Sequence, residues 1–185
     1  MAEHRSMQRA ALLEAARTLL SDGGTEALTF PALAERTGLA RSSVYEYFRS
    51  RAAVVEALCE ADFPVWAAEV SAAMAGAGGP RAKVEAYVRK QLELVGDRRH
   101  RAVVAISAGE LDAGAREKIR AAHGGLIGMI VEALGELGHD RPRLAAMLLQ
   151  GVVDAAVRRI ELGAAEDPAT VADAAVAMAL RGVGG

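Results

Sequence analysis

Residues 29–51 read TFPALAERTGLARSSVYEYFRSR, and the spacing inside this stretch decides the fold. Ala34 is followed four residues later by Gly38, and Val44 follows six residues after that. A helix-turn-helix needs a small residue where two helices cross, a turn residue able to take positive φ, and a buried apolar anchor on the second helix. Ala34, Gly38 and Val44 answer those needs in that order, with Leu33 and Leu39 as apolar flanks. Thr29 caps the first short helix, over 30–36. Pro31 is tolerated in its first turn because that N–H has no helical partner. Gly38 ends it, and a second short helix covers about 41–48.

The outward residues of this segment point to an anionic partner. Over 36–51, Arg36, Arg41, Arg49 and Arg51 stand against Glu46 alone, an excess of positive charge in a chain of net charge −2. Arginine binds phosphate bidentately or reads guanine in the major groove. Ser42, Ser43 and the tyrosine hydroxyls can donate to phosphates. Phe48 reads as a core anchor of a small three-helix domain. Tyr45 can pack its ring and still present its hydroxyl, and Tyr47 is assigned to the phosphate-facing side.

Outward from the segment, Gly and Pro punctuate a series of helices. Residues 6–21 form the first, with Ser6 as cap, a stop at Asp22-Gly23-Gly24, and Leu12, Ala16, Leu19 and Leu20 on one face. A long helix over 51–74 is expected to be interrupted or kinked at Pro64. The clearest linker is GAGGP at 76–80. Helices then cover 80–95, 99–108, 112–137, 141–162 and 168–180. No run alternates with period two for long enough to argue a strand. The expectation is an all-α protein of about nine helices, divided near residue 50, where short helices give way to long ones.

Composition removes other classes. A hydrophobic fraction of 52% with balanced charge is not that of a disordered chain. The single cysteine, Cys59, excludes an intrachain disulfide, so a cytoplasmic location is expected. The N-terminal stretch lacks a continuous apolar core of the secretory kind. Uncharged stretches reach only about ten residues where a membrane span needs ~20, so no membrane partner is expected. Four of the seven aromatics, Phe30, Tyr45, Tyr47 and Phe48, lie in the stretch that also holds the basic excess.

With its long first helix, its Gly-containing turn and the run GLARSSVYEYFRSR (38–51), the N-terminal third resembles the DNA-binding domain of the TetR family of bacterial repressors. Gly38, Leu39, Arg41, Ser43, Val44, Tyr45, Tyr47 and Phe48 fit the family pattern, and Arg51 stands at the usual lysine position. Three residues depart from it. Ala40 replaces the serine that caps the recognition helix, Ser42 stands where Gly or Ala is common, and Glu46 is acidic on a helix meant to meet DNA. The resemblance implies a helix-turn-helix DNA-binding domain over 1–50, with Thr29, Arg41, Ser42, Ser43, Tyr45, Tyr47 and Arg51 as DNA contacts. A ligand-binding and dimerisation domain then occupies 51–185.

For the second domain, too, the expectations are implications of the resemblance. The partners are a double-stranded, near-palindromic operator, a partly apolar small-molecule effector and a second copy of the chain. The long helix starting near Arg51 joins the domains, so its displacement would carry the effector's signal. The dimer forms through the last two long helices. Leu144, Met147, Leu148, Gly151, Val152 and Ala155 make a stripe on one, and Val171, Ala174, Ala175, Met178 and Ala179 on the other. The plain alternative is that both stripes face the protomer's own core. For the effector, Phe63, Trp66, Met74, Tyr87, Gln91, His100, His123 and Met129 combine apolar walls with a few polar groups. Gly124, Gly125 and Gly128 interrupt a helical pattern, for which close packing is the leading reading.

Nothing in the chain composes a catalytic or metal site. His4, His100, His123 and His139 are scattered and have no metal spacing with Cys59. Glu110 and Asp112 read as caps of the helix that begins there. The expectation is therefore a ligand-responsive transcriptional repressor, without catalytic residues or a cofactor. The rival is a helical small-molecule-binding module that no longer binds DNA, favoured by Ala40 and Glu46.

Overall fold

The computed structural model describes residues 2–163 and 167–182, apart from the side chains of residue 2 and residues 118–124. Among the described residues the chain forms nine α-helices, a 3-10 turn and no strand. The helices are α1 (Ala2–Gly23), α2 (Phe30–Thr37), α3 (Arg41–Tyr47), α4 (Arg51–Ala75), α5 (Pro80–Gly96), α6 (Arg98–Glu110), α7 (Ala113–Glu136), α8 (Pro142–Glu161) and α9 (Pro168–Gly182). The 3-10 turn, Thr25–Ala27, lies between α1 and α2. The all-α reading and its segmentation are thus observed. None of the described helices is long and apolar enough to cross a membrane.

Three local expectations need correction. Ser6 does not cap α1, because the helix already runs from Ala2 and Ser6 lies inside it. Pro64 does not interrupt α4, which continues from Arg51 to Ala75. A proline removes one backbone hydrogen bond, and buried Phe63, Val70 and Met74 anchor the helix around it. Asp112 does cap α7, accepting the Ala115 N–H at 2.8 Å. Glu110 instead ends α6 and pairs with Arg51 at 3.3 Å. The close packing expected at the α7 glycines is also absent where it can be described. A Cβ on Gly125 or Gly128 would meet nothing within 4 Å. Gly124 lies outside the described side chains.

The contacts gather the chain into two compact units. The first comprises Met1–Asp62 and Arg98–Ile119, and the second Phe63–Asp97 and Arg120–Gly185. In the first, α1 packs on α2 and α6, α2 packs on α3, and the 3-10 turn touches α1 and α6. Its core includes the fully buried Leu12, Ala16, Leu33, Val44, Val54, Leu58 and Val103. In the second, α5, α8 and α9 pack on one another. Met74, Tyr87, Val88, Ile130, Leu134, Leu149, Val153 and Val176 form the core there.

Candidate nucleic-acid interface

The local chemistry of residues 29–51 builds a helix-turn-helix in the first unit. The Thr29 hydroxyl oxygen accepts the Ala32 N–H at 3.3 Å, and Pro31 occupies the first turn of α2. Gly38 takes φ 69° and ψ 14°, the left-handed region where a Cβ is disfavoured. The turn closes with Leu39 N–H to the Ala34 carbonyl at 3.1 Å and Gly38 N–H to the Glu35 carbonyl at 3.4 Å, a Schellman arrangement. Ala40 starts α3 without a side-chain cap, as its departure from the family pattern predicts. Leu33, Ala34, Val44 and Phe48 are buried, so the outward face of α3 is left to polar groups.

That face opens onto a hollow of about 360 Å³ lined by Glu26, Leu28, Thr29, Phe30, Pro31, Arg41, Tyr45, Arg49, Ser50 and Arg51. Four sequence-assigned DNA contacts meet here: Thr29, Arg41, Tyr45 and Arg51. Arg41 and Arg49 are exposed and form no ion pair with a described residue. Tyr45 packs its ring on Phe30, with centroids 4.5 Å apart and planes at 56°, yet stays 49% exposed. Both roles given to it from sequence are therefore sterically compatible. Glu26 is the hollow's one acidic residue against three arginines. A concavity of this charge, with hydroxyls between the guanidinium groups, suits a phosphate oxygen.

The other assigned contacts stand elsewhere. Ser42 is exposed and Ser43 half-buried on α3, and neither lines the hollow. The Tyr47 hydroxyl donates to Gln8 Oε1, and the Arg5 guanidinium lies 5.8 Å from the Tyr47 ring centroid. Arg9 sits 5.5 Å from the Phe48 ring centroid. Tyr47 therefore ties α3 to α1. The basic surface gains Arg5 and Arg9, which sequence reasoning passed over although they stand four residues apart on α1. Arg49 and Ser50 were passed over as contacts too. Arg51 is the most engaged: Nη1 pairs with Glu110 at 3.3 Å, Nη2 donates to the Thr25 carbonyl, and Nε is buried without a hydrogen-bond partner.

Further charge pairs stiffen the same unit. Arg17 on α1 grips Asp62 on α4, with Nε 3.1 and 3.0 Å from the two carboxylate oxygens and Nη2 at 2.5 Å. That hydrogen bonding raises the Arg17 guanidinium above its ordinary value despite burial. Arg17 also reaches Glu14 at 3.2 Å, and Glu14 meets Arg99 of α6 at 2.8 Å. Cys59 is 1% exposed, and burial pushes its thiol up to about 12.

In the second unit, Met74 and Tyr87 are core residues, and Met129 packs against that core. Phe63 is buried and Trp66 half-buried, their ring centroids 5.2 Å apart. The polar element is a short chain from Tyr87 Oη to Gln150 Oε1 at 2.5 Å, and from Gln150 Nε2 to Asp154 Oδ1 at 2.8 Å. Burial raises the Tyr87 phenol; the adjoining Gln91 works against that rise and the Asp154 charge adds to it. Gln91 Nε2 is buried without a hydrogen-bond partner, a cost of about 1–3 kcal/mol that a ligand acceptor would relieve. Gln150 and Asp154 are additions from structure, spaced one helical turn apart on α8. His100 belongs to the first unit. His123 lies outside the described side chains. Among the described residues, no cluster of His, Cys, Asp and Glu could hold a metal ion.

The α8 stripe resolves into two faces. Ala145, Ala146, Leu149, Val153 and Ala156 point into the unit's own core. Leu144, Met147, Leu148, Gly151 and Ala155 are exposed, with Met147 at 69% and Leu148 at 66%. On α9, Ala175 and Ala179 turn inward, while Ala174 and Met178 stay exposed. Between the two helices runs a groove of about 480 Å³, lined by Leu144, Leu148, Val152 and Met178 with the 139–141 corner at one end.

Comparison with known proteins bears on the N-terminal segment and on the fold. Residues 12–58 match the family model of the bacterial regulatory proteins, tetR family. Over 55 residues the chain is 42% identical to the class C tetracycline repressor protein of Escherichia coli, a match covering 30% of this chain and 25% of that protein. The whole fold is similar to that of a TetR-family transcriptional regulator from Streptomyces coelicolor, with TM-score 0.78, 20% identity and 97% of each chain covered. It is also similar to AibR, crystallised with isovaleryl coenzyme A and operator DNA. There the TM-score is 0.73 and the identity 18%, over 92% of this chain and 97% of that one. At such identities the likeness to solved structures is one of fold. The sequence match is a likeness of the N-terminal segment, residues 12–58, to the tetR family.

Proposed function

Proceeding from a tetR-family N-terminal segment, we propose that the chain is a ligand-responsive transcriptional regulator, a homodimeric repressor released from a near-palindromic operator by a small molecule. The observation that carries this reading is the basic hollow beside α3. It gathers Thr29, Arg41, Tyr45, Arg49, Ser50 and Arg51 on the segment that matches the family. Residues 1–50 read the DNA, and 51–185 sense and dimerise. Two α3 helices in a two-fold dimer engage half-sites about one DNA turn, ~34 Å, apart. The exposed apolar face of α8 and α9 supports dimerisation. Large apolar groups in one contiguous patch are costly to leave in water, and a two-fold axis pairs the patch with itself. The regulator works in the cytoplasm.

The effector site centres on the Tyr87, Gln91 and Gln150 corner, flanked by Phe63, Trp66, Met74 and Met129. Its apolar walls and one unsatisfied amide suit a partly apolar molecule with a hydrogen-bond acceptor. An acyl thioester is the first class to screen, since AibR shares the fold and was crystallised with one. Displacement of α4 then couples effector occupancy to the separation of the two α3 helices.

Fluorescence anisotropy on the intergenic DNA upstream of the protein's own gene tests the reading. Tight, sequence-selective binding by the wild type and a loss of about tenfold or more in Arg41→Ala are expected. Absence of specific binding at low salt would favour a sensing module without DNA activity, for which exposed Glu46 and uncapped α3 are the supporting features.

A further inference from the structure

Arg51 is shared between two neighbours and satisfied by neither completely. It starts α4, lines the basic hollow and is about one-third exposed. Its Nη1 reaches Glu110 at the last residue of α6, and its Nη2 reaches the Thr25 carbonyl in the 3-10 turn. Its Nε is buried and without a partner. All three elements belong to the same compact unit.

The helix that supplies Glu110 is itself poorly matched to its own dipole. Its first turn carries Arg98, Arg99 and Arg101 where a helix favours acidic groups, and Glu110 closes its C-terminus where a helix favours cations. Isolated, α6 would be weakened at both ends. Here each end is held by a partner of opposite charge, Glu14 for Arg99 at 2.8 Å and Arg51 for Glu110 at 3.3 Å. The C-terminal tie is the longer of the two, though its side chains are less exposed, 33% and 30% against 52% and 51% for Arg99 and Glu14.

We propose that Glu110 competes with DNA phosphate for the Arg51 guanidinium, making the end of α6 a brake on DNA binding. The inference rests on the DNA-binding reading and adds a regulatory residue to it. A phosphate entering the hollow offers Arg51 the same bidentate chemistry as a carboxylate. A bidentate contact through Nη1 and Nη2 draws on the same Nη1 that holds Glu110. By linkage, any event that draws the end of α6 away from Arg51 tightens DNA binding, and bound DNA loosens the end of α6.

The test uses the full chain and a mixed-sequence DNA duplex at low salt, so that phosphate contacts dominate binding. Glu110→Gln binds about 2- to 5-fold tighter than wild type, the scale of an exposed ion pair. Glu110→Asp keeps the charge but shortens the reach, and it also binds tighter. In an Arg51→Gln background, which keeps a donor for the Thr25 carbonyl, Glu110→Gln has no effect. Thermal unfolding midpoints within a degree or two of wild type confirm that each variant is folded. Equal tightening with and without Arg51 would mean that Glu110 acts as a distant charge, and it overturns the competition. So does unchanged affinity in both Glu110 variants. If the wild type itself binds no duplex, the DNA-binding reading falls first and this one with it.

Discussion

The two compact units solve opposite surface problems with the same helical vocabulary. The first buries a small aliphatic core and turns arginine, serine and tyrosine outward around α3. The second is just as well packed inside, yet exposes Leu144, Met147, Leu148 and Met178 along α8 and α9. One surface is basic and rich in hydroxyls, and the other is apolar. The difference lies in which residues are left over once each core is filled. A net charge of −2 hides it completely.

Three variants probe that contrast. The largest effect is expected from Met147→Glu combined with Leu148→Glu. Both side chains are exposed in the protomer, so its fold survives. A two-fold dimer burying them would have to desolvate four carboxylates, two from each copy, a penalty of several kcal/mol each. Sedimentation should find a monomer with unchanged helical circular dichroism. A variant that stays dimeric would move the interface off this face. Next is Leu33→Ala, which empties a fully buried site in the first unit and should cost about 2–5 kcal/mol in urea unfolding. Smaller again is Gly38→Ala. At φ 69° it forces a Cβ into the left-handed region and should cost about 1–2 kcal/mol.

A chemical probe sharpens the same comparison. With its thiol raised from 9.0 to about 12, Cys59 should resist alkylation in the native protein at neutral pH and react promptly in denaturant. The unfolded thiol ionises first. Folding stability should therefore fall as pH rises above about 9 toward 12, because the native state retains a proton that the unfolded state has lost. Prompt native labelling would show that this part of α4 opens readily.

The helix-turn-helix was legible because its rules are local. A cap at Thr29, an early Pro31 and a left-handed Gly38 each act within one helical turn. Ser6 misled because serine signals a cap only where the chain has not already become helical. At Pro64 the helix is not interrupted, because the packing of Phe63, Val70 and Met74 outweighs one missing hydrogen bond. On α8 apolar residues occupy two faces, and periodicity alone could not tell which one the protomer keeps. The tie from Arg51 to Glu110 joins residues far apart in the chain, so no spacing rule could reveal it. The same holds for the hydrogen bond from Tyr47 to Gln8, which braces α3 against α1.

The proposed DNA binding turns on the basic hollow receiving phosphate, and the salt dependence of duplex binding measures this directly. For the wild type, the logarithm of the association constant should fall linearly with the logarithm of salt concentration. In Arg41→Ala the slope should be shallower by about 0.9, the equivalent of one lost phosphate contact. An identical slope in the two proteins, or wild-type binding indifferent to salt, would contradict phosphate binding at the hollow.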